Sequence, residues 1–231
     1  MNYRGLNIPF VSFGNVTSDD LFCDKEQAIF DFYEAAGKAK RYTRALDIGA
    51  NIGVHSILMA RQGWDVRAFE PDPQHAEAFL WQHRLRNDVP LGGFPRLEIA
   101  AVSDKRGALA GSALYVRVYG NTTGNHLKGD KQPYGDIEEF EVPVVDCRPL
   151  FDWADFAKID CEGHEARLLL TVKPDQQCEF MVEIGNQANA KAIYGHFHGW
   201  RGMWAQKTGW KPEIPFKKTM EDLLNYWRER V

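Results

Sequence analysis

The run Ala45-Leu-Asp-Ile-Gly-Ala-Asn-Ile-Gly-Val-His-Ser56, followed by Phe69-Glu-Pro-Asp72, leaves few folds open to this chain. A short apolar strand enters a glycine turn and a helix start, and a second apolar strand ends in a carboxylate. Asp47 and Glu70 stand 23 residues apart, about the length of one strand–helix–strand unit. That spacing predicts two adjacent parallel strands with both acids at their carboxyl ends, where open α/β sheets bind ligands. Gly49 and Gly53 would let a ligand approach the backbone with no Cβ in the way. Glu70 would take two ribose hydroxyls as a bidentate acceptor.

The alternation continues on both sides. A helix over 26–40 leads into a strand at 44–48, a helix at 52–62, a strand at 65–70, a helix at 73–86 and a strand at 97–102. Pro73 suits the first turn of its helix, with Asp72 as N-cap. This order predicts an α/β fold with a doubly wound, mostly parallel sheet. Residues 1–24 read as irregular.

A dinucleotide fingerprint beginning at Gly49 requires glycine at positions 51 and 54, where this chain has Asn51 and Val54. No Gly-Lys-Ser/Thr follows the turn, so a phosphate-binding loop fails too. An acid directly before the turn would repel pyrophosphate but would suit an ammonium group. S-adenosylmethionine carries an ammonium, a sulfonium and a ribose diol without phosphate, and fits these residues.

Four blocks in order carry a family resemblance over roughly residues 42–185: Asp47-Ile-Gly-Ala-Asn-Ile-Gly53, Ala68-Phe-Glu-Pro-Asp-Pro73, Ala100-Ala-Val-Ser-Asp104 and Lys158-Ile-Asp-Cys-Glu-Gly-His-Glu165. Val182-Glu-Ile-Gly185 lies where a further strand ending in Glu is expected. With these blocks the chain resembles the FkbM family of class I S-adenosylmethionine-dependent methyltransferases. The resemblance implies a Rossmann-like fold with cofactor contacts from Asp47, Gly49, Ala50, Asn51, Gly53, Glu70, Asp72, Ala101 and Val102. It also implies a hydroxyl acceptor on a sugar, polysaccharide or natural-product scaffold. The Asp/Asn-Pro-Pro-Tyr/Phe signature of adenine and glutamine N-methyltransferases is absent, and Lys158-Ile-Asp160 stands in its place.

The second chemical block places Asp160 at the end of a strand near 156–160, with Glu162 and His164 opening a helix. A hydroxyl acceptor needs a base to take its proton as the new bond forms. Asp160 and Glu162 are the leading candidates for that role or for holding the acceptor, with His164 third and Glu183 also in reach. Acids in a first helical turn also complement the helix dipole, which would account for Glu162 and Glu165 without chemistry. Lys158, inside an apolar strand, needs a carboxylate partner. Asp160, Glu162 and Glu183 would alternatively suit Mg²⁺ or Ca²⁺, which prefer oxygen ligands; no metal is assigned. His196-Phe-His198 has no matching third ligand nearby and reads as a surface or packing feature.

Extended stretches at 113–119 and 138–145 predict a β-hairpin inserted around 108–145. The polar stretch between them, 120–136, reads either as a mobile surface loop or as a lid whose Asn121, Thr122, Asn125, His126 and Tyr134 contact the acceptor. A helix over 188–200, a hairpin over 202–215 and an amphipathic helix over 221–230 complete the chain, with Trp200, Trp204, Trp210 and Trp227 as core or as an aromatic wall.

The 231 residues suit one domain with a lead-in over 1–41, a cofactor-binding core over 42–185 and an extension over 186–231. A net charge of −4 offers no general attraction to polyphosphate. The nearest basic cluster, Arg84, Arg86 and Arg96, reads as scattered surface charge, so no nucleic-acid partner is expected. No apolar run approaches a membrane span, and no signal peptide is evident. Cys23, Cys147, Cys161 and Cys178 form no Cys-x-x-Cys pair and read as reduced thiols of a cytoplasmic protein.

Overall fold

A computed structural model describes residues 2–197 apart from 4–5, 9, 23–25, 87–91, 108–110 and 185. The strands are β1 Asn2–Tyr3, β2 Leu6–Asn7, β3 Arg44–Ile48, β4 Asp65–Phe69, β5 Arg96–Glu98, β6 Ala101–Ser103, β7 Ser112–Val118, β8 His126–Leu127, β9 Ile137–Asp146, β10 Phe156–Ile159 and β11 Glu179–Val182. The helices are α1 Ser18–Phe22, α2 Gln27–Lys38, α3 Val54–Arg61, α4 Pro73–Arg86, α5 Cys147–Trp153, α6 Glu165–Leu169 and α7 Gln187–His196.

Five strands form an all-parallel sheet in the order β11-β10-β3-β4-β5. The chain winds outward from β3 to β5, then returns to the other side of β3 through β10. The order therefore reverses between β3 and β10, and such a reversal opens a crevice at the strands' carboxyl ends. Strands buried on both faces read as unbroken apolar runs, and Ala45 to Ile48 are at most 1% exposed. Alternate residues feed two cores. Ala45, Val66 and Phe156 pack with Phe30, Tyr33, Ile57 and Trp64 on one face. Leu46, Ala157 and Ile159 pack with Phe151, Leu168 and Ile193 on the other.

A separate mixed sheet runs β6-β9-β7-β8. The expected hairpin is present, with β7 and β9 antiparallel from Ser112↔Pro143 to Val118↔Ile137. The single strand expected at 97–102 is instead two: β5 pairs with β4, and β6 pairs with β9. The chain turns between them where the Ala100 amide donates to the Glu98 carbonyl, and this turn hands it from one sheet to the other. The lead-in is not irregular. Leu6, Ile8 and Phe13 are buried in the first core, β1 pairs with β2, and α1 follows.

Two helix starts lie further along than expected. α3 begins at Val54 rather than 52 because Asn51 and Gly53 are left-handed, at φ 51° and 80°. α6 begins at Glu165 because Glu162 and Gly163, at φ 54° and 121°, form a turn in front of it. Among the described residues no helix is long and apolar enough to cross a membrane. Cys23, His198, the four tryptophans from Trp200 onward, the hairpin at 202–215 and the helix at 221–230 lie outside the described residues.

Candidate functional site

A cleft of about 1090 Å³, counting its part open to solvent, lies where the sheet order reverses. Gly49, Ala50, Asn51 and Glu70 form its floor, and Ala101 and Val102 one side. Asp160, Cys161, Glu162, His164 and Glu183 form another wall. Tyr115, Thr122, Thr123, Asn125 and Leu127 cover it as a roof from the mixed sheet, and Leu21, Phe22 and Glu26 close the near end. Nine of the twelve residues named from the sequence for cofactor binding or catalysis therefore meet in one cleft. Asp47, Gly53 and Asp72 do not line it.

Glu70 is 3% exposed and already holds two backbone donors: the Asn51 amide reaches Oε2 at 2.8 Å and the Asp72 amide reaches Oε1 at 2.9 Å. These bonds hold the carboxylate still and tie the end of β4 to the glycine turn. Each oxygen keeps a further lone-pair direction for a ligand hydroxyl. His75 Nδ1 lies 3.8 Å from Oε1, while His75 Nε2 and the Thr122 hydroxyl are hydrogen-bonded at 3.0 Å.

Both glycines are required by the fold itself. A Cβ on Gly49 would fall 1.8 Å from the Asp160 carbonyl oxygen, and one on Gly53 would fall 2.1 Å from the Phe79 ring. Only glycine lets β3 and β10 deliver their turns this close together at φ 79°.

Asp47 is wholly buried, and its ammonium partner is the chain's own Lys158, whose Nζ lies 3.6 Å from Oδ1. The Ser56 hydroxyl donates to Oδ2 at 2.6 Å. Burial pushes the Asp47 carboxyl up, and the Lys158 charge opposes that. Lys158 also reaches the Gly49 carbonyl at 3.3 Å and Asp160 Oδ2 at 3.4 Å, so it has the carboxylate partners that a buried lysine requires. Asp47 thus sets the charge beneath the turn. Beside it, the Tyr33 hydroxyl and His55 Nδ1 are hydrogen-bonded at 3.0 Å, and His55 Nε2 lies 3.8 Å from Glu26.

The 160–165 turn is held from inside. Glu165, 1% exposed, accepts the Cys161 amide at 3.2 Å, the Gly163 amide at 2.9 Å and the Asn189 side chain at 2.9 Å. Left-handed backbone at Glu162 costs a non-glycine residue about 1–3 kcal/mol, and these bonds help to hold it there. Burial and the nearby Asp160 push the Glu162 carboxyl up, and Lys131 opposes them from 2.7 Å. Burial also raises the Cys161 thiol, which keeps it protonated and a poor nucleophile.

His164 does not point to solvent. It is 3% exposed, with Nδ1 at 2.7 Å from Asp130 and Nε2 at 3.1 Å from the Ser103 hydroxyl. The order serine–histidine–aspartate has the form of a hydrolytic relay, but Ser103 is 2% exposed and does not line the cleft. With both ring nitrogens engaged, His164 braces the roof against the turn.

Asp72 has its expected N-cap bond, accepting the Gln74 amide at 2.8 Å. It also takes Arg117 through two bonds of 2.7 Å and the Asn125 side chain at 2.9 Å. This pair fastens the mixed sheet to the parallel one. The 120–136 stretch divides accordingly: Asn125 and His126 are buried, whereas Tyr134 is half exposed. Asn121, His126 and Tyr134 do not line the cleft, and Thr122, Asn125 and the unselected Thr123 do.

Glu26, His55 and His75 also line the cleft without having been singled out. The available signal was position: His55 and His75 fall in the first turns of helices that follow the two site strands. Among the described residues no group of three His, Cys, Asp or Glu is placed to hold a metal ion. His196 Nε2 lies 2.9 Å from the Val172 carbonyl and its ring packs edge-on to Phe197. No known protein family, curated protein or solved structure matches this chain.

Proposed function

We infer that this protein is an S-adenosylmethionine-dependent methyltransferase of the FkbM type, built on the class I methyltransferase fold. We further read its acceptor as a hydroxyl on a sugar, polysaccharide or natural-product scaffold. The observation that carries the reading is Glu70: a buried carboxylate, fixed by two backbone amides, faces a cleft at the reversal of the sheet beside the Gly49–Asn51 turn. A ribose diol needs a rigid bidentate acceptor of this kind.

When bound, S-adenosylmethionine supplies a methyl group activated by its sulfonium. Glu70 would accept the ribose hydroxyls, and Ala50, Asn51, Ala101 and Val102 would flank the nucleoside. The wall carboxylates Asp160, Glu162 and Glu183 favour a cationic ligand. Asp160 and Glu162 would then hold the acceptor hydroxyl and take its proton, and alignment supplies most of the remaining rate.

A second reading is a nucleoside-binding scaffold without turnover. It is favoured by the lysines tied to both candidate bases, Lys158 on Asp160 and Lys131 on Glu162. Calorimetric titration with S-adenosylmethionine, S-adenosylhomocysteine and NAD tests the cofactor. Binding of the first two and not of NAD is expected, and binding of NAD alone would refute the reading. Turnover on hydroxylated acceptors that Asp160→Asn removes, while cofactor binding survives, separates the enzyme from the scaffold.

A further inference from the structure

The roof meets the 160–165 turn through two consecutive residues. Asp130 pairs with His164 and Lys131 with Glu162, each at 2.7 Å. Between these pairs Gly163 packs under the roof, where a Cβ would come within 3.0 Å of the Asp130 carbonyl oxygen. Three contacts not involving Lys131 also hold the roof down: Thr122 with His75, Asn125 with Asp72, and Asp130 with His164.

We propose that Lys131 is a positioning residue for the site, holding the Glu162 carboxylate ionised against the cleft wall. The proposal rests on the methyl-transfer reading only for the use made of that carboxylate. Geometry carries it. Glu162 is fixed in left-handed backbone, lines the cleft, and has its Oε2 on Lys131 Nζ. Asp160 and Glu165 from its own turn and Tyr115 from β7 act on it electrostatically; Cys161, His164, Lys158 and Glu183 line the same cleft, and Asp130 and Tyr134 of the roof stand beside His164 and Lys131. The carboxylates among them oppose its ionisation. Lys158 is already shared between Asp47 and Asp160, so among the described residues Lys131 is the cation that answers Glu162. A base in this position must be ionised to take a proton.

The test is a carbon-detected NMR titration of side-chain carboxylates in glutamate-labelled protein, with Glu162→Gln assigning the resonance. Lys131→Met should move the Glu162 midpoint to higher pH, and Lys131→Arg should return it to the wild-type value. Amide exchange over 121–131 should stay as in wild type, because the other three contacts remain. The Lys131 side chain is 40% exposed, so its loss leaves the core intact. An unchanged or lowered midpoint in Lys131→Met, or no rescue by arginine, would overturn the proposal. S-adenosylhomocysteine titrated into the same samples keeps the two claims apart. If it fails to bind while the midpoint responds to Lys131, the methyl-transfer reading falls and the positioning role stands. If it binds and the midpoint is indifferent, the reverse holds.

Discussion

Replacing Glu70 by glutamine preserves shape and removes one acceptor. The carboxylate receives the Asn51 amide at 2.8 Å and the Asp72 amide at 2.9 Å, one on each oxygen, in a side chain that is 3% exposed. Glutamine has one carbonyl oxygen, so its NH₂ must face the other backbone N–H. One bond to a charged acceptor, worth about 1.5–3 kcal/mol, is lost. The surviving bond becomes neutral and about half as strong. Together these predict a destabilisation of about 2–4 kcal/mol, towards the lower end if the NH₂ turns to Asn51, whose amide borders the cleft and can take a water. A chain of 150–250 residues loses about 2–4 °C in Tm per kcal/mol, so the expected fall is about 4–16 °C. Thermal and urea denaturation of wild type and Glu70→Gln at pH 7 read it directly. A variant within about 0.5 kcal/mol of wild type, below the worth of one ordinary hydrogen bond, would refute the role given to Glu70. Nucleoside affinity is a separate readout on the folded protein. Glu70→Ala should weaken S-adenosylhomocysteine binding by about 1.5–3 kcal/mol, and an unchanged affinity would remove Glu70 from the ligand site.

Two further outcomes follow from the buried charges. Arg117→Met should cost about 3–5 kcal/mol in urea unfolding, because it leaves the wholly buried Asp72 without its bidentate partner; adding Asp72→Asn should recover part of that loss, and a double variant no more stable than the single one would dissolve the pair. At Asp155, burial raises the carboxyl but is outweighed by the Thr43 hydroxyl, the Thr43 and Arg44 amides and the Arg44 side chain, which hold it down to about 2. A depressed folded value stabilises in full above the unfolded value near 3.9 and is lost as pH falls towards 2. The stability gap between wild type and Asp155→Asn should therefore close between about pH 4 and pH 2, and a gap constant across that window would contradict the assignment.

Local pattern carried much of the architecture. β3, at Arg44–Ile48, and α4, at Pro73–Arg86, lie where apolar runs, a proline at the first helical position and an aspartate N-cap put them. The floor residues Gly49, Ala50, Asn51 and Glu70 were legible because one strand–helix–strand unit brings them together within 23 residues. The ends of elements were less so. Left-handed backbone at Glu162, which no local propensity signals, is held by Glu165, whereas at Asn51, a residue that adopts it readily, the amide is held by Glu70.

The amino-acid order alone determined most strands and helices of the parallel layer and which acids end its strands, since those follow from contacts a few residues long. The tertiary structure decided what each acid does. Asp47 answers to Lys158, more than 100 residues away, and Asp72 to Arg117 at a separation of 45. His164 braces Asp130 across 34 residues. Each of these partners is delivered by the sheet order and by the mixed sheet folding back as a roof. A buried charge takes its role from whichever opposite charge or donor reaches it, and only the packed molecule fixes those distances.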